Sequence, residues 1–423
     1  MKTRAVRIHG TGDLRLEEFE LPEIRDDEIL VKVVSDSICM STYKLAKAGN
    51  NHKRVRGDLA QDPAIVGHEF AGDIVQVGAA YADQYRPGQK FTIQPALNNG
   101  TMWTPGYSYG TCGGDCTYCI LPAELMECGC LLAYDGDAYY PASLAEPMSC
   151  NVGAFHACYH TKPGVYEHEM GTRPGGALAL VAAAGPMGLG GLTYALHRTE
   201  GKPRTVVLVD INQERLDRAA SLFPPERICE EEGIDLRFVN SGELADPVAE
   251  IRAITGGAGF DDVFCYAPVA PVVRLSADLL GRDGCLNFFA GPVDAAFSAP
   301  INFYDVHYNA THVIGTTGGN TADMVESLEL MASGRIDPAV MVTHIGGLPA
   351  VVETTLNLPQ IPGGKKLIYT HTDLPLIALG ELRAHAAETG DARFAELAGI
   401  VDGAGGLWCA EAERYLLREW ARD

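Results

Sequence analysis

The stretch from Ala177 to Asp210 constrains this chain more than any other. Ala177–Ala182 (ALALVA) is an uninterrupted apolar run, and Thr205–Asp210 (TVVLVD) is another. Continuously apolar strands are buried on both faces, which a parallel sheet covered by helices provides. Between them lies the small-residue turn Ala183-Ala184-Gly185-Pro186-Met187-Gly188, followed by the helix-like Leu189–Arg198. This is a dinucleotide fingerprint with Ala183 in the first glycine position. Gly185 lets the backbone approach a pyrophosphate, and Gly188 lets the helix pack close to its strand. Pro186 and Met187 complete the turn, and the phosphates would sit over the unpaired amides of the helix N-terminus. Asp210 ends the next strand, where a carboxylate would bond the adenosine ribose and repel a 2′-phosphate. NAD(H) is therefore expected. Arg215, close by, keeps NADP(H) open.

Phe260–Tyr266, Gly284–Ala290 and His312–Thr316 supply further strands with helical segments between several of them. Strands alternating with helices imply a doubly wound α/β unit. The first 150 residues read differently. Ile29–Val34 and Gly72–Val77 are short β-type runs separated by turns such as Arg86-Pro87-Gly88, so an all-β, barrel-like half is expected. After residue 372 the strand signals stop. Leu376–Glu388 and Leu407–Ala421 read as a helical extension of about two helices with little catalytic chemistry.

Composition narrows the function. A length of 423 residues exceeds one ordinary domain, and a net charge of −22 opposes nucleic acid and anionic membranes. The N-terminus MKTRAVRIHGTGDLRLEE has no apolar leader, and no apolar run is long enough to cross a bilayer. A cytoplasmic protein is expected. Its 12 cysteines are then free thiols or metal ligands rather than disulfides.

The β-rich half contains Cys39-Met40-Ser41, Gly67-His68-Glu69 and Ala145-Glu146-Pro147. Thiolate, imidazole and carboxylate are zinc ligands, and three protein donors with one open position describe a catalytic zinc. With the Gly67–Gly72 run, Arg86-Pro87-Gly88, the Gly185 turn and Asp210, these motifs resemble the zinc-dependent medium-chain alcohol dehydrogenases, sorbitol-dehydrogenase-like branch. The resemblance covers about residues 1–372. Within that branch, the ICMSTYK start and the long tail resemble reductases of L-sorbose 1-phosphate.

The resemblance implies a GroES-like β-barrel catalytic domain (1–153 and 319–372), a Rossmann domain (154–318) and a helical extension (373–423). It implies zinc on Cys39, His68 and one or both of Glu69 and Glu146, with Ser41 relaying the alcohol proton. The implied reaction is NAD(P)H-dependent reduction of a ketose phosphate to a polyol phosphate, specifically L-sorbose 1-phosphate to D-glucitol 6-phosphate. Two alternatives remain. One is a zinc dehydrogenase of a free polyol or amino alcohol, the other a non-catalytic NAD-binding regulatory subunit. The family precedent suggests a homodimer or tetramer.

Three features are weighed beside these. Cys112, Cys116, Cys119 and Cys128 approach the family's structural-zinc lobe. However, Gly113–Pro122 reads as the strand that should follow the lobe, and Cys116 and Cys119 would then face opposite ways. A structural zinc is therefore not expected. Lys44, Lys47, His52, Lys53, Arg54 and Arg56 form a basic segment that would suit a substrate phosphate. His156 and His160, four apart, are expected to be ordinary packing or surface residues.

Overall fold

The structure is a computed structural model that describes residues 1–422. The chain forms two compact units, residues 1–146 with 342–423, and residues 147–341. These boundaries differ from the 153/154 and 318/319 positions expected from sequence.

The first unit is built on strand Ile29–Ile38. Nine of its ten residues are buried because it has partners along both edges. Antiparallel neighbours are Ala71–Val77, Tyr118–Leu121 and Lys365–Tyr369. The last brings the far end of the chain beside residue 38. Ile29, Val31, Val33, Ile65, Phe70 and Phe91 pack into one apolar core beneath this sheet. Helix Met40–Ala48 starts immediately after the strand, with Cys39 as its N-cap residue.

The C-terminal segment departs from expectation in two ways. Strands do not stop at 372, since Ile377–Ala378 pairs antiparallel with Val342–Gly347. Three helices follow rather than about two: Leu382–Thr389, Ala392–Gly403 and Ala410–Trp420. An available sheet edge captures Ile377, so the helical pattern beginning at Leu376 is realised only from Leu379, first as a 3-10 turn and then as the α-helix from Leu382. The last helix is locked down by Glu413. Its carboxylate accepts from the backbone N–H of Tyr139 and Tyr140 (2.8 Å for the latter) and from the Tyr369 hydroxyl at 2.9 Å. Trp408 Nε1 donates to the same hydroxyl at 2.6 Å. Glu413 thereby satisfies amides at the start of helix Tyr140–Ala157, which carries Glu146.

The cysteine segment also corrects an expectation. The strand begins only at Tyr118, so Cys116 lies ahead of it and does not alternate with Cys119. Cys112, Cys116 and Cys119 are all buried in the same core. Thiols of Cys112 and Cys116 both hydrogen-bond to Cys119. The opposite-face argument therefore fails.

The second unit is a six-stranded, fully parallel sheet. Its spatial order is Asp235–Asn240, Thr205–Asp210, Ala177–Val181, Phe260–Cys265, Leu280–Phe288, His312–Ile314. In order of occurrence this is 3-2-1-4-5-6, the doubly wound dinucleotide-binding arrangement. Ala177–Val181 is buried at every position, as its composition requires. Among the described residues, no helix is long and apolar enough to cross a membrane.

Candidate active site

Two sequence-distant pieces bring three donor atoms together in the first unit. Cys39 follows the central strand, and His68 and Glu69 precede strand Ala71–Val77. One donor atom from each lies within 4.8 Å of the others. The turn that aims them depends on Gly67, whose φ is +88°. A Cβ there would lie 2.3 Å from Asp36 Oδ2 and 2.5 Å from the Asp115 amide. Only glycine fits that approach.

Ser41 lies in the first turn of helix Met40–Ala48. Its hydroxyl donates to Cys39 Sγ at 2.9 Å and lies 3.2 Å from His68 Nε2. It is thus a participant in the site rather than only a turn residue. Desolvation, then the Glu69 charge, pushes the Cys39 thiol up to about 12. Burial also pulls His68 down to about 4. His68 Nδ1 is buried with no hydrogen-bond partner. A thiol, an imidazole and a carboxylate this close and this desolvated form a donor set that suits a zinc-class cation.

Lys365 was not singled out from the sequence. Its ammonium reaches both Glu69 oxygens, at 2.5 and 2.6 Å, and both side chains are almost fully buried. Burial opposes the lysine charge, but Glu69 and Cys39 outweigh it and raise Lys365 above the usual lysine range. Glu69 is thus held by a cation within the protein. Glu146 is buried, and its charge acts on both Cys39 and Lys365. It lies outside the 4.8 Å group. The signal that could have found Lys365 is the pair Lys365-Lys366 opening an otherwise apolar strand, Lys365–Tyr369.

A second set of acids supports the first. Asp36 Oδ1 accepts the Glu69 backbone N–H at 3.0 Å. Burial, then the neighbouring Asp115 and Glu69, raises Asp36 well above the carboxylate range. Asp115, raised mainly by burial, sits at about 7.

Part of the basic segment reaches this site. The Arg54 guanidinium lies 5.2 Å from the Tyr107 ring centroid. Tyr107 in turn lies 5.1 Å from the His68 ring and 5.3 Å from His52. Arg54 depresses the His68 pKa, and Lys44 interacts with both Cys39 and Lys53. Arg56 points elsewhere and stacks at 4.0 Å on Trp103, while Lys47 lies over Tyr43.

In the second unit, Gly185 caps helix Pro186–His197, with Pro186 and Met187 in its first turn. A Cβ on Gly185 would meet nothing within 4 Å, whereas one on Gly188 would lie 2.1 Å from Ala183 O. The two glycines thus do different work, open approach at one and close helix packing at the other. Asp210 Oδ2 accepts the Ala184 N–H at 3.0 Å and ties the two turns together. Arg215 is exposed on the following helix, Gln213–Leu222. His156 bonds Asp323 and Glu326, and His160 is buried against Asp262.

Two family models match this chain. One, described as an alcohol dehydrogenase GroES-like domain, covers residues 25–129. The other, described as a zinc-binding dehydrogenase, covers residues 186–333. L-sorbose 1-phosphate reductase of Klebsiella pneumoniae is 45% identical over 98% of this chain and 97% of its own. The chain belongs to the zinc-dependent medium-chain alcohol dehydrogenases. Mannitol-1-phosphate 5-dehydrogenase of Aliivibrio fischeri is 51% identical to this dehydrogenase, over 98% of this chain and 97% of its own. The crystal structure of 2R,3R-butanediol dehydrogenase from Bacillus subtilis has the same fold, with a TM-score of 0.70 and 22% identity. It covers 87% of this chain and 99% of its own. This dehydrogenase is therefore an oxidoreductase of the zinc- and NAD(P)-dependent polyol and sugar-phosphate group.

Proposed function

We propose that the enzyme interconverts a ketose phosphate and a polyol phosphate with NAD(H), with L-sorbose 1-phosphate and D-glucitol 6-phosphate as the first pair to test. One observation carries the phosphate: Lys44 acts on Cys39 and Arg54 on His68, so two cations of the basic segment direct positive charge at this site of an otherwise acidic chain. A phosphate is recognised by such a convergence, and a free sugar has no use for it. The reading agrees with the names of two full-length relatives. The second of these names also favours mannitol 1-phosphate as an alternative polyol.

Cys39 and His68 would hold the zinc, with one or both of Glu69 and Glu146 completing the set; Glu69 lies within 4.8 Å of the other two. Bound zinc supplies Lewis-acid polarisation of the substrate oxygen. Lys365 pairs with Glu69 beside Cys39 and His68, which limits the net negative charge of the site. Ser41 sits where it can give a proton to the developing alcohol in reduction, or accept it in oxidation. Gly185, Pro186, Met187, Gly188 and Asp210 would bind and orient the dinucleotide, with Asp210 favouring NAD(H). Residues 147–341 would be the cofactor domain, and 1–146 with the C-terminal strands the catalytic domain.

The test is loss of NADH absorbance with L-sorbose 1-phosphate, beside fructose 6-phosphate, free L-sorbose and an amino alcohol, with zinc content measured on the same sample. Turnover restricted to phosphorylated ketoses supports the proposal. Turnover on free sugars alone overturns the phosphate assignment. No turnover and no zinc favours the regulatory subunit.

A further inference from the structure

A second cluster of metal-binding side chains lies in the parallel sheet, within residues 147–341. Asp262, Cys285 and His312 are paired neighbours on three consecutive strands. Cys158 follows directly on helix Tyr140–Ala157. Cys158 Sγ, an Asp262 carboxylate oxygen and Cys285 Sγ all lie within 4.8 Å of one another, and all three residues are buried. The chemistry described above uses none of them.

Burying two thiols against a carboxylate is a poor way to fill a core, because the polar groups lose water and apolar residues pack better. Their surroundings hold them in place. His160 Nε2 lies 3.2 Å from Asp262 Oδ1, and its Nδ1 lies 3.0 Å from the Asp283 carbonyl. The Arg173 amide donates to Asp262 Oδ2 at 2.8 Å. Asn287 Nδ2 faces Cys158 Sγ at 3.8 Å. His312 has its two ring nitrogens against the Tyr159 and Ala310 carbonyls, at 2.7 and 3.0 Å. His160 is thus engaged as an outer hydrogen-bonding partner of the Asp262 carboxylate, an arrangement that orients ligating carboxylates in metal sites, while His312 is anchored on backbone carbonyls.

We propose that Cys158, Asp262 and Cys285 form a second metal site, for a zinc-class cation, distinct from the Cys39 site. Two sulfurs disfavour magnesium and calcium and select zinc-class ions. A tetrahedral ion with zinc–sulfur bonds of about 2.3 Å holds its donors roughly 3.6–3.8 Å apart, so pairs in such a trio would close by up to roughly 1.2 Å. The ion would pin the end of helix Tyr140–Ala157 to two adjacent strands of the sheet.

The test uses the full-length protein, loaded with zinc and freed of excess, with metal counted against protein by mass spectrometry. The variant Cys158→Ser/Cys285→Ser is expected to hold one ion fewer per chain than the wild type. Asp262→Asn keeps both thiols, in case the double variant does not fold, and is expected to weaken the same ion by at least about 10-fold, since the loss of even an outer partner costs that much. Cobalt loading gives a second readout, since the sulfur-to-cobalt charge-transfer absorption should fall in the double variant. Equal metal content in wild type and the double variant, or unchanged affinity in Asp262→Asn, overturns the proposal. So does a Cys158–Cys285 disulfide in the zinc-loaded protein.

Discussion

Replacing Lys365 by Met tests how the catalytic unit is held together. The substitution keeps the stem of the side chain and removes its charge. Glu69 is then left as a buried carboxylate whose 2.5 and 2.6 Å partner is gone. Both side chains are at most 5% exposed, so water cannot compensate. Breaking a buried ion pair from one side costs about 3–5 kcal/mol. For a unit of this size each kcal/mol lowers Tm by roughly 2–4 °C, so a drop of about 6 °C or more is expected. Glu69→Gln strands the lysine instead and should cost a similar amount. The double variant Lys365→Met/Glu69→Gln leaves no charge unpaired, so its cost should fall short of the sum by at least about 2 kcal/mol. The assay is urea unfolding of the four proteins, with zinc content measured on each. A Lys365→Met variant within about 0.5 kcal/mol of wild type would refute the reasoning. Strict additivity would refute it equally.

Four further outcomes are expected. Arg54→Ala should raise KM for the phosphorylated ketose about 10–100-fold, the equivalent of one charge-assisted hydrogen bond, with a much smaller effect on a free ketose; steady-state kinetics on both substrates decides this. Gly67→Ala adds a Cβ 2.3 Å from Asp36 Oδ2 at a φ of +88°, so it should cost at least about 1–3 kcal/mol and release zinc, as read by melting and metal analysis. Asp115 is raised to about 7, chiefly by burial, so the folded state favours its neutral form; stability from this group is present below the usual carboxylate range and lost as pH rises through about 7. Unfolding free energies measured across that window should decline by up to about 1.4 kcal/mol per pH unit, and Asp115→Asn should flatten the slope. Glu413→Gln weakens charge-assisted bonds to Tyr140 and Tyr369, so it should cost about 1.5–3 kcal/mol and lower Tm, although it lies far from Cys39 in the chain.

What the sequence determined by itself was whatever depends on short stretches of backbone. The apolar runs Ala177–Val181 and Thr205–Asp210 can be satisfied only inside a parallel sheet, and they lie there side by side. Gly185 and Gly188 have roles set by a turn of six residues, so their spacing carried the information. Cys39, His68 and Glu69 were legible as donors because each sits in a compact motif. The tertiary structure alone decided which distant groups meet. Lys365 reaches Glu69 across 296 residues of chain, and Glu413 reaches Tyr140 across 273. The same is true of Cys158 with Cys285, and of Arg54 with Tyr107. It also reversed two local inferences. Ile377 joined a sheet edge instead of opening a helix, and Cys116 fell outside the strand that was to turn it away from Cys119. The physical reason is common to all of these. Hydrogen-bonding periodicity and turn stereochemistry act over a few residues and leave a pattern in the sequence. Ion pairing, core contact and sheet-edge capture depend on burial and proximity, which exist only once the chain has folded.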